Sequence, residues 1–133
     1  MFLTKNDFQL TIILGDAREN IKILKEQSST LKFNAFYQDP FSPKRNPRLW
    51  TLEWFEDLYS VADKTAVLAT YSASSSIRKA LVESKWKVNN SKAFGKKKSF
   101  TIATIEGESD PSVITHLERS PALPYRDKNF KMK

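Results

Sequence analysis

The sequence predicts an α/β domain on a mostly parallel sheet, and three observations carry that reading. Apolar, partly β-branched runs recur at 10–14, 31–38 and 65–71. Between them lie stretches whose apolar residues repeat at helical spacing, and strands alternating with helices build βαβ units. The run at 65–71 (TAVLATY) is apolar almost throughout, as suits a strand in the middle of a parallel sheet, buried on both faces.

Each element has a local cause. Residues 10–14 (LTIIL) form a first strand that Gly15 ends. Asp16 then stands where an N-cap belongs, with Glu19 three positions on as in a capping box, and Ala17, Ile21 and Leu24 set a helix that runs to about Gln27. Residues 31–38 form the second strand. Pro40, Pro43 and Pro47 stiffen the loop that follows, because proline fixes φ and has no N–H to give to a ladder. Thr51 caps a second helix with Glu53 in its first turn, near the positive end of the helix dipole. Trp54, Phe55, Leu58, Tyr59 and Ala62 share one face of it and read as core, while Glu56 and Asp57 face water. After the strand at 65–71, a small polar turn at 72–76 leads into a helix with Ile77, Ala80 and Leu81 inward. Residues 86–88 and 99–105 close the sheet. From 106 onward three prolines, mixed charge and no sustained period predict an extended tail, giving a domain over 1–105 and a tail over 106–133.

Composition narrows the function classes. The 133 residues contain no cysteine, which excludes disulfides, thiolate catalysis and cysteine-ligated zinc. One histidine, His116, has no metal-ligand spacing around it, so no metal site is expected. The N-terminus lacks the apolar core of a signal peptide and no run reaches membrane-spanning length, so the expected location is the cytoplasm, with no membrane partner. Net charge is +7, and between Lys64 and Lys98 nine basic residues face one acid, Glu83. A basic stretch of that kind suits a polyanion, although a solubilising surface explains it as well.

The candidate site is Asp39, a carboxylate at the C-terminal end of a strand in a proline-stiffened loop, where open α/β sheets place their chemistry. A turn cap accounts for an Asp-Pro pair equally well.

The loop also carries a resemblance. Gln38-Asp39-Pro40-Phe41-Ser42-Pro43, Asn46-Pro47 and Leu49-Trp50-Thr51 are similar to the signature loop of the tRNA methyltransferases that complete the 5-methylaminomethyl-2-thiouridine wobble base. The similarity continues through Ala66-Val67-Leu68-Ala69-Thr70-Tyr71, Ile77-Arg78-Lys79-Ala80-Leu81 and Phe94-Gly95-Lys96-Lys97-Lys98, in one register from Leu10 to Ile105. Asn34 and Pro40 depart from it, standing where the family commonly has Asp and Gly. The resemblance implies the class I (Rossmann-like) methyltransferase fold, whose sheet ends in an antiparallel strand, with S-adenosyl-L-methionine as cofactor and tRNA as partner. It further implies that the strands here are the third to seventh of that fold. The first two, and their glycine-rich loop, have no counterpart, and the glycines present, Gly15, Gly95 and Gly107, stand singly.

Roles follow from the same resemblance. Asp39 is the catalytic residue, beside the cofactor, accepting or orienting the proton of an amine. Asp16 lies beside the adenine of the cofactor, unless it is a plain N-cap. Phe41 packs on a flipped base, and Lys44, Arg45 and Arg48 meet phosphates, with Lys96, Lys97 and Lys98 extending that contact. The implied function is methylation of the aminomethyl group of the tRNA wobble uridine. Partners are then tRNA and either a separate FAD-dependent oxidase or a chain supplying the missing half. The chain alone is expected to be inactive. It should also self-associate through the exposed edge at 31–38, or shift its first strand and helix out of the family position. The alternatives are a non-catalytic basic RNA-binding module or remnant, and an amino-methyltransferase acting on an exocyclic amine of DNA or ribosomal RNA, since Asp39-Pro40-Phe41 partly matches that group's Asp-Pro-Pro-Tyr motif.

Overall fold

A computed structural model describes residues 2–92 and 99–130. The chain divides into two compact units, Met1–Leu31 and Lys32–Lys133.

In the first unit, β1 (Phe2–Lys5) and β2 (Phe8–Thr11) form an antiparallel hairpin with Phe2 opposite Thr11 and Lys5 opposite Phe8. Asn6 turns the chain at φ +56, a left-handed conformation that asparagine tolerates better than most residues. The strand expected at 10–14 therefore lies earlier. It pairs with its own neighbour and takes no place in the larger sheet, so Ile12, Ile13 and Leu14 stand outside any strand. The cause is local: a hairpin closes a loop of a few residues at small entropic cost. Gly15, at φ +125, makes the turn into α1 (Ala17–Gln27).

The second unit holds a four-stranded sheet in the order β3-β4-β6-β5: β3 (Phe33–Tyr37), β4 (Ala62–Thr70), β5 (Lys87–Lys92) and β6 (Ser99–Thr104). β3 and β4 are parallel, and β6 runs antiparallel to both β4 and β5. α2 (Leu52–Ser60) crosses from β3 to β4, and α3 (Ser75–Glu83) from β4 to β5. This is the α/β sheet with one antiparallel strand that the resemblance implies, with four of the five strands expected in it. Thr51 caps α2 through its hydroxyl, which accepts the Trp54 N–H at 3.2 Å.

One face of the sheet is packed. Ala66, Leu68, Thr70, Val88, Thr101 and Ala103 are buried there, and Trp86 sits edge-on to Phe36 and Tyr59, its indole N–H donating to Phe55 O at 3.0 Å. The other face carries Phe33, Ala35, Tyr37 and Val67, all exposed. The central strand β4 is thus buried on one face, where the apolar run 65–71 predicts two.

The segment after Glu106 is more ordered than an extended tail. It forms α4 (Pro111–Arg119), with Asp110 as N-cap, Pro111 in the first turn, and Val113 and Leu117 buried. Pro fits there because a first-turn N–H has no helical acceptor to lose. Beyond α4 the chain returns to α2. Leu52 N–H donates to Tyr125 O at 2.9 Å, the Thr51 hydroxyl donates to Asp127 Oδ1 at 2.7 Å, and Glu53 receives Arg126 Nε at 2.7 Å and Asp127 N–H at 3.0 Å.

Glu53 supplies a pH test. Burial raises its pKa, but the hydrogen bonds from Arg126 and the Asp127 amide outweigh that and hold it below the ordinary 4.5. A depressed folded-state pKa means that its stabilisation is present above the unfolded value and is lost as pH falls through the folded one. The urea midpoint of the wild type should therefore exceed that of Glu53→Gln at pH 7, with the gap closing below pH 4.5. A gap independent of pH would contradict this.

Candidate active site

The loop after β3 is built from side-chain donors. Gln38 is buried at the strand end; its N–H donates to Ala69 O at 2.9 Å, its amide nitrogen to Leu49 O, and its amide oxygen accepts Trp54 Nε1–H at 3.1 Å. Trp50 is fully buried, and its indole N–H is shared between Pro40 O and Phe41 O, each at 3.0 Å. Ser42 O accepts the N–H groups of Arg45 and Asn46, both at 2.9 Å, and a 3-10 turn (Pro47–Leu49) leads to Trp50.

Asp39 projects from this frame. Its Oδ1 accepts the backbone N–H of Tyr71 at 3.2 Å, which ties the end of β3 to the end of β4. The Tyr71 ring stands edge-on to Trp50 at 5.9 Å, and its hydroxyl donates to Phe41 O at 3.4 Å. Phe41 is 71% exposed at φ +23, a conformation that costs an L-residue with a bulky side chain about 1–3 kcal/mol. A cleft of about 470 Å³ opens beside these residues, lined by Tyr37, Asp39, Ala69, Thr70, Tyr71, Ser99 and Phe100. An exposed carboxylate with one fixed oxygen, an apolar cleft and a displayed aromatic ring can together receive a planar, amine-bearing group.

The sequence-predicted residues distribute as follows. Asp39, Phe41, Lys44 and Arg45 lie on the one loop and are exposed, and Arg48 is half-buried in the 3-10 turn. Asp16 belongs to the first unit, where its Oδ1 accepts Arg18 N–H at 2.8 Å as the N-cap of α1. Lys96, Lys97 and Lys98 lie outside the described residues. The basic stretch is less of an open face than its composition predicts. Arg78 is buried, and Lys79 Nζ is spent on the carbonyls of Ser120 and Ala122, at 2.6 and 2.7 Å. His116 is exposed, 3.4 Å from Ser75 Oγ. Among the described residues no cluster of His, Cys, Asp or Glu could hold a metal ion, and no helix is long and apolar enough to cross a membrane. Sequence reasoning gave no role to Tyr71, Gln38 or Trp50. Their only signal was membership in the motifs flanking Asp39.

A family model described as S-adenosyl-L-methionine-dependent methyltransferase matches residues 1–106. An uncharacterized protein of Methanocaldococcus jannaschii is 30% identical over 135 residues, covering 96% of this chain and 36% of that protein. The tRNA 5-methylaminomethyl-2-thiouridine biosynthesis bifunctional protein MnmC of Ralstonia nicotianae is 39% identical over 96 residues, covering 72% of this chain and 14% of that one. Among solved structures, MNMC2 from Aquifex aeolicus superposes with a TM-score of 0.77 at 33% identity, over 93% of this chain and 41% of that one. The chain thus spans less than half the length of each of these relatives.

The loop frame makes a stability prediction. Trp50→Phe keeps an aromatic ring but removes the indole N–H from the Pro40 and Phe41 carbonyls and leaves a gap in the core, which together should cost at least about 1–3 kcal/mol in urea unfolding. Asp39→Asn, at an exposed position, should change stability by less than about 0.5 kcal/mol. Equal losses in the two variants would contradict the division of labour between frame and displayed carboxylate.

Proposed function

Because this chain belongs to the S-adenosyl-L-methionine-dependent methyltransferase family, we propose that it carries the acceptor-side part of a methyltransferase acting on the aminomethyl group of the tRNA wobble uridine. The observation that carries this reading is the Asp39 carboxylate, fixed by the Tyr71 amide at the end of a parallel strand and open to a cleft. Relatives named for 5-methylaminomethyl-2-thiouridine biosynthesis in tRNA support the choice of substrate.

The residues present do not fit the whole cofactor. When bound, S-adenosyl-L-methionine supplies an electrophilic methyl group. A class I fold cradles it with a glycine-rich loop, and the glycines here are single: Gly15 faces the Asn20 side chain, and Gly107 has open space around it. This chain's own chemistry is therefore on the acceptor. An amine is nucleophilic only with a free lone pair. A carboxylate at about 2.6–3.2 Å accepts or orients its N–H and opposes the positive charge that develops on nitrogen. Asp39 takes that role. Phe41, displayed from a strained backbone, stacks on the base ring, and Lys44 and Arg45 meet neighbouring phosphates.

Two outcomes test this reading. With the rest of the domain supplied, Asp39→Asn should lower turnover on aminomethyl-bearing tRNA roughly 100-fold and leave S-adenosyl-L-methionine affinity largely intact; near-full activity would return Asp39 to a turn cap. The purified chain by itself, titrated with S-adenosyl-L-methionine in a calorimeter, should give no micromolar binding, because the glycine cradle is lacking. A micromolar dissociation constant there would overturn the acceptor-side assignment.

A further inference from the structure

Arg78 is a buried cation whose hydrogen-bond partners are all neutral. It is 7% exposed, and burial pushes its pKa down, yet a guanidinium stays charged in proteins. Nε donates to Thr101 Oγ1 at 2.9 Å, and Nη2 donates to Asn90 Oδ1 at 3.0 Å and to Phe100 O at 3.4 Å. Among the described residues no carboxylate pairs with it, and Nη1 has no protein acceptor. A small part of the residue stays accessible to solvent. Buried charges are normally paired, because one left without a counter-charge is costly.

The surroundings favour an anion. Arg78 lies in the first half of α3, whose N-cap, Ser74, makes no side-chain capping bond. The positive end of the helix thus lacks a side-chain acceptor, and Arg78 is linked to the turn before it through Thr101 and Ser72 O. Thr101, opposite Asn90 in the ladder, donates a hydrogen bond from its own hydroxyl to Ser72 O, one residue beyond Tyr71. Phe100, whose carbonyl Arg78 touches, lines the Asp39 cleft.

We propose that Arg78, with Asn90 and the start of α3, forms a phosphate-binding site beside the Asp39 cleft, and that its ligand is an RNA backbone phosphate. This rests on the RNA substrate proposed above. The free edge of the guanidinium supplies charge and directed N–H donors together, which a lysine would not. A substrate phosphate held there would fix the strand that delivers its base to Asp39. Phosphate contacts of this kind position a nucleic acid without reading its sequence.

The test uses the full chain labelled with ¹⁵N, following the Arg78 Nε–H and Asn90 side-chain amide resonances. The probes are an RNA stem-loop with an unpaired uridine, inorganic phosphate, and sodium chloride at matched ionic strength. Saturable shifts with RNA and with phosphate, and none with chloride, are expected. In parallel, Arg78→Gln should weaken RNA binding and lower the salt slope by about 0.7, the loss of one single-strand phosphate contact, with Arg78→Lys recovering part of it. Shifts with phosphate but not RNA would keep the site and sink the RNA substrate. Shifts with RNA alone would sink the phosphate assignment. No shift with either overturns the proposal and leaves Arg78 as a tie for the 71–74 turn. The resonance arm uses the wild-type chain, so it decides the matter even if a substitution at this buried position unfolds the protein.

Discussion

The loop that displays Asp39 depends on one shared hydrogen bond, the Trp50 indole N–H held between the carbonyls of Pro40 and Phe41. Pro40, Pro43 and Pro47 make this necessary. Each removes a backbone donor, so the loop, by turning on itself, satisfies Ser42 O and Pro47 O but not the carbonyls of Pro40, Phe41 and Leu49. It takes donors from side chains instead: Trp50 Nε1, the Gln38 amide and the Tyr71 hydroxyl. Trp54 then fixes Gln38 from α2, which couples the loop's shape to the helix packed under it. Rigidity at Asp39 is thus a property of the core and its proline-poor donor supply, and the proline content of the loop acts through that shortage.

The sheet shows the same economy from another side. Burial alternates residue by residue along β4: Ala66, Leu68 and Thr70 lie inside while Val67 is 41% exposed. Parallel strands are ordinarily covered on both faces. Here the face with Phe33, Ala35, Tyr37 and Val67 is open, and β3 is the outer strand. The packed face alone therefore holds the second unit together. Trp86, Phe55, Leu68, Leu81 and Ile77 are among its largest fully buried side chains.

Where neighbours in sequence decide a structure, the sequence was readable. α2 was legible from Thr51 through Leu58, because its cap, dipole charge and apolar stripe are all local, and the bounds of α1 followed from Asp16 for the same reason. α4 was missed although Asp110, Pro111, Val113 and Leu117 spell a start signal and a stripe; the prolines around it made the segment look broken. The hairpin of β1 and β2 hid behind the apolar run at 10–14, which local pairing overrode. At the site, Asp39 was visible as a carboxylate at a strand end. Its partner Tyr71 was not, because 32 residues separate them and a backbone N–H leaves no mark in the sequence. Arg78 and Lys79 were counted as surface charge. Yet Arg78 adjoins Ile77 and lies one turn before Leu81, on the stripe that faces the core.

Phe41 bears on the stability of the chain as well as on its shape. At φ +23 the position would suit glycine or asparagine better, and either would relieve backbone strain without opening a hole in the core, since the ring is mostly in solvent. A bulky aromatic ring in that place therefore lowers stability, and what it provides is an apolar surface displayed to solvent beside Asp39.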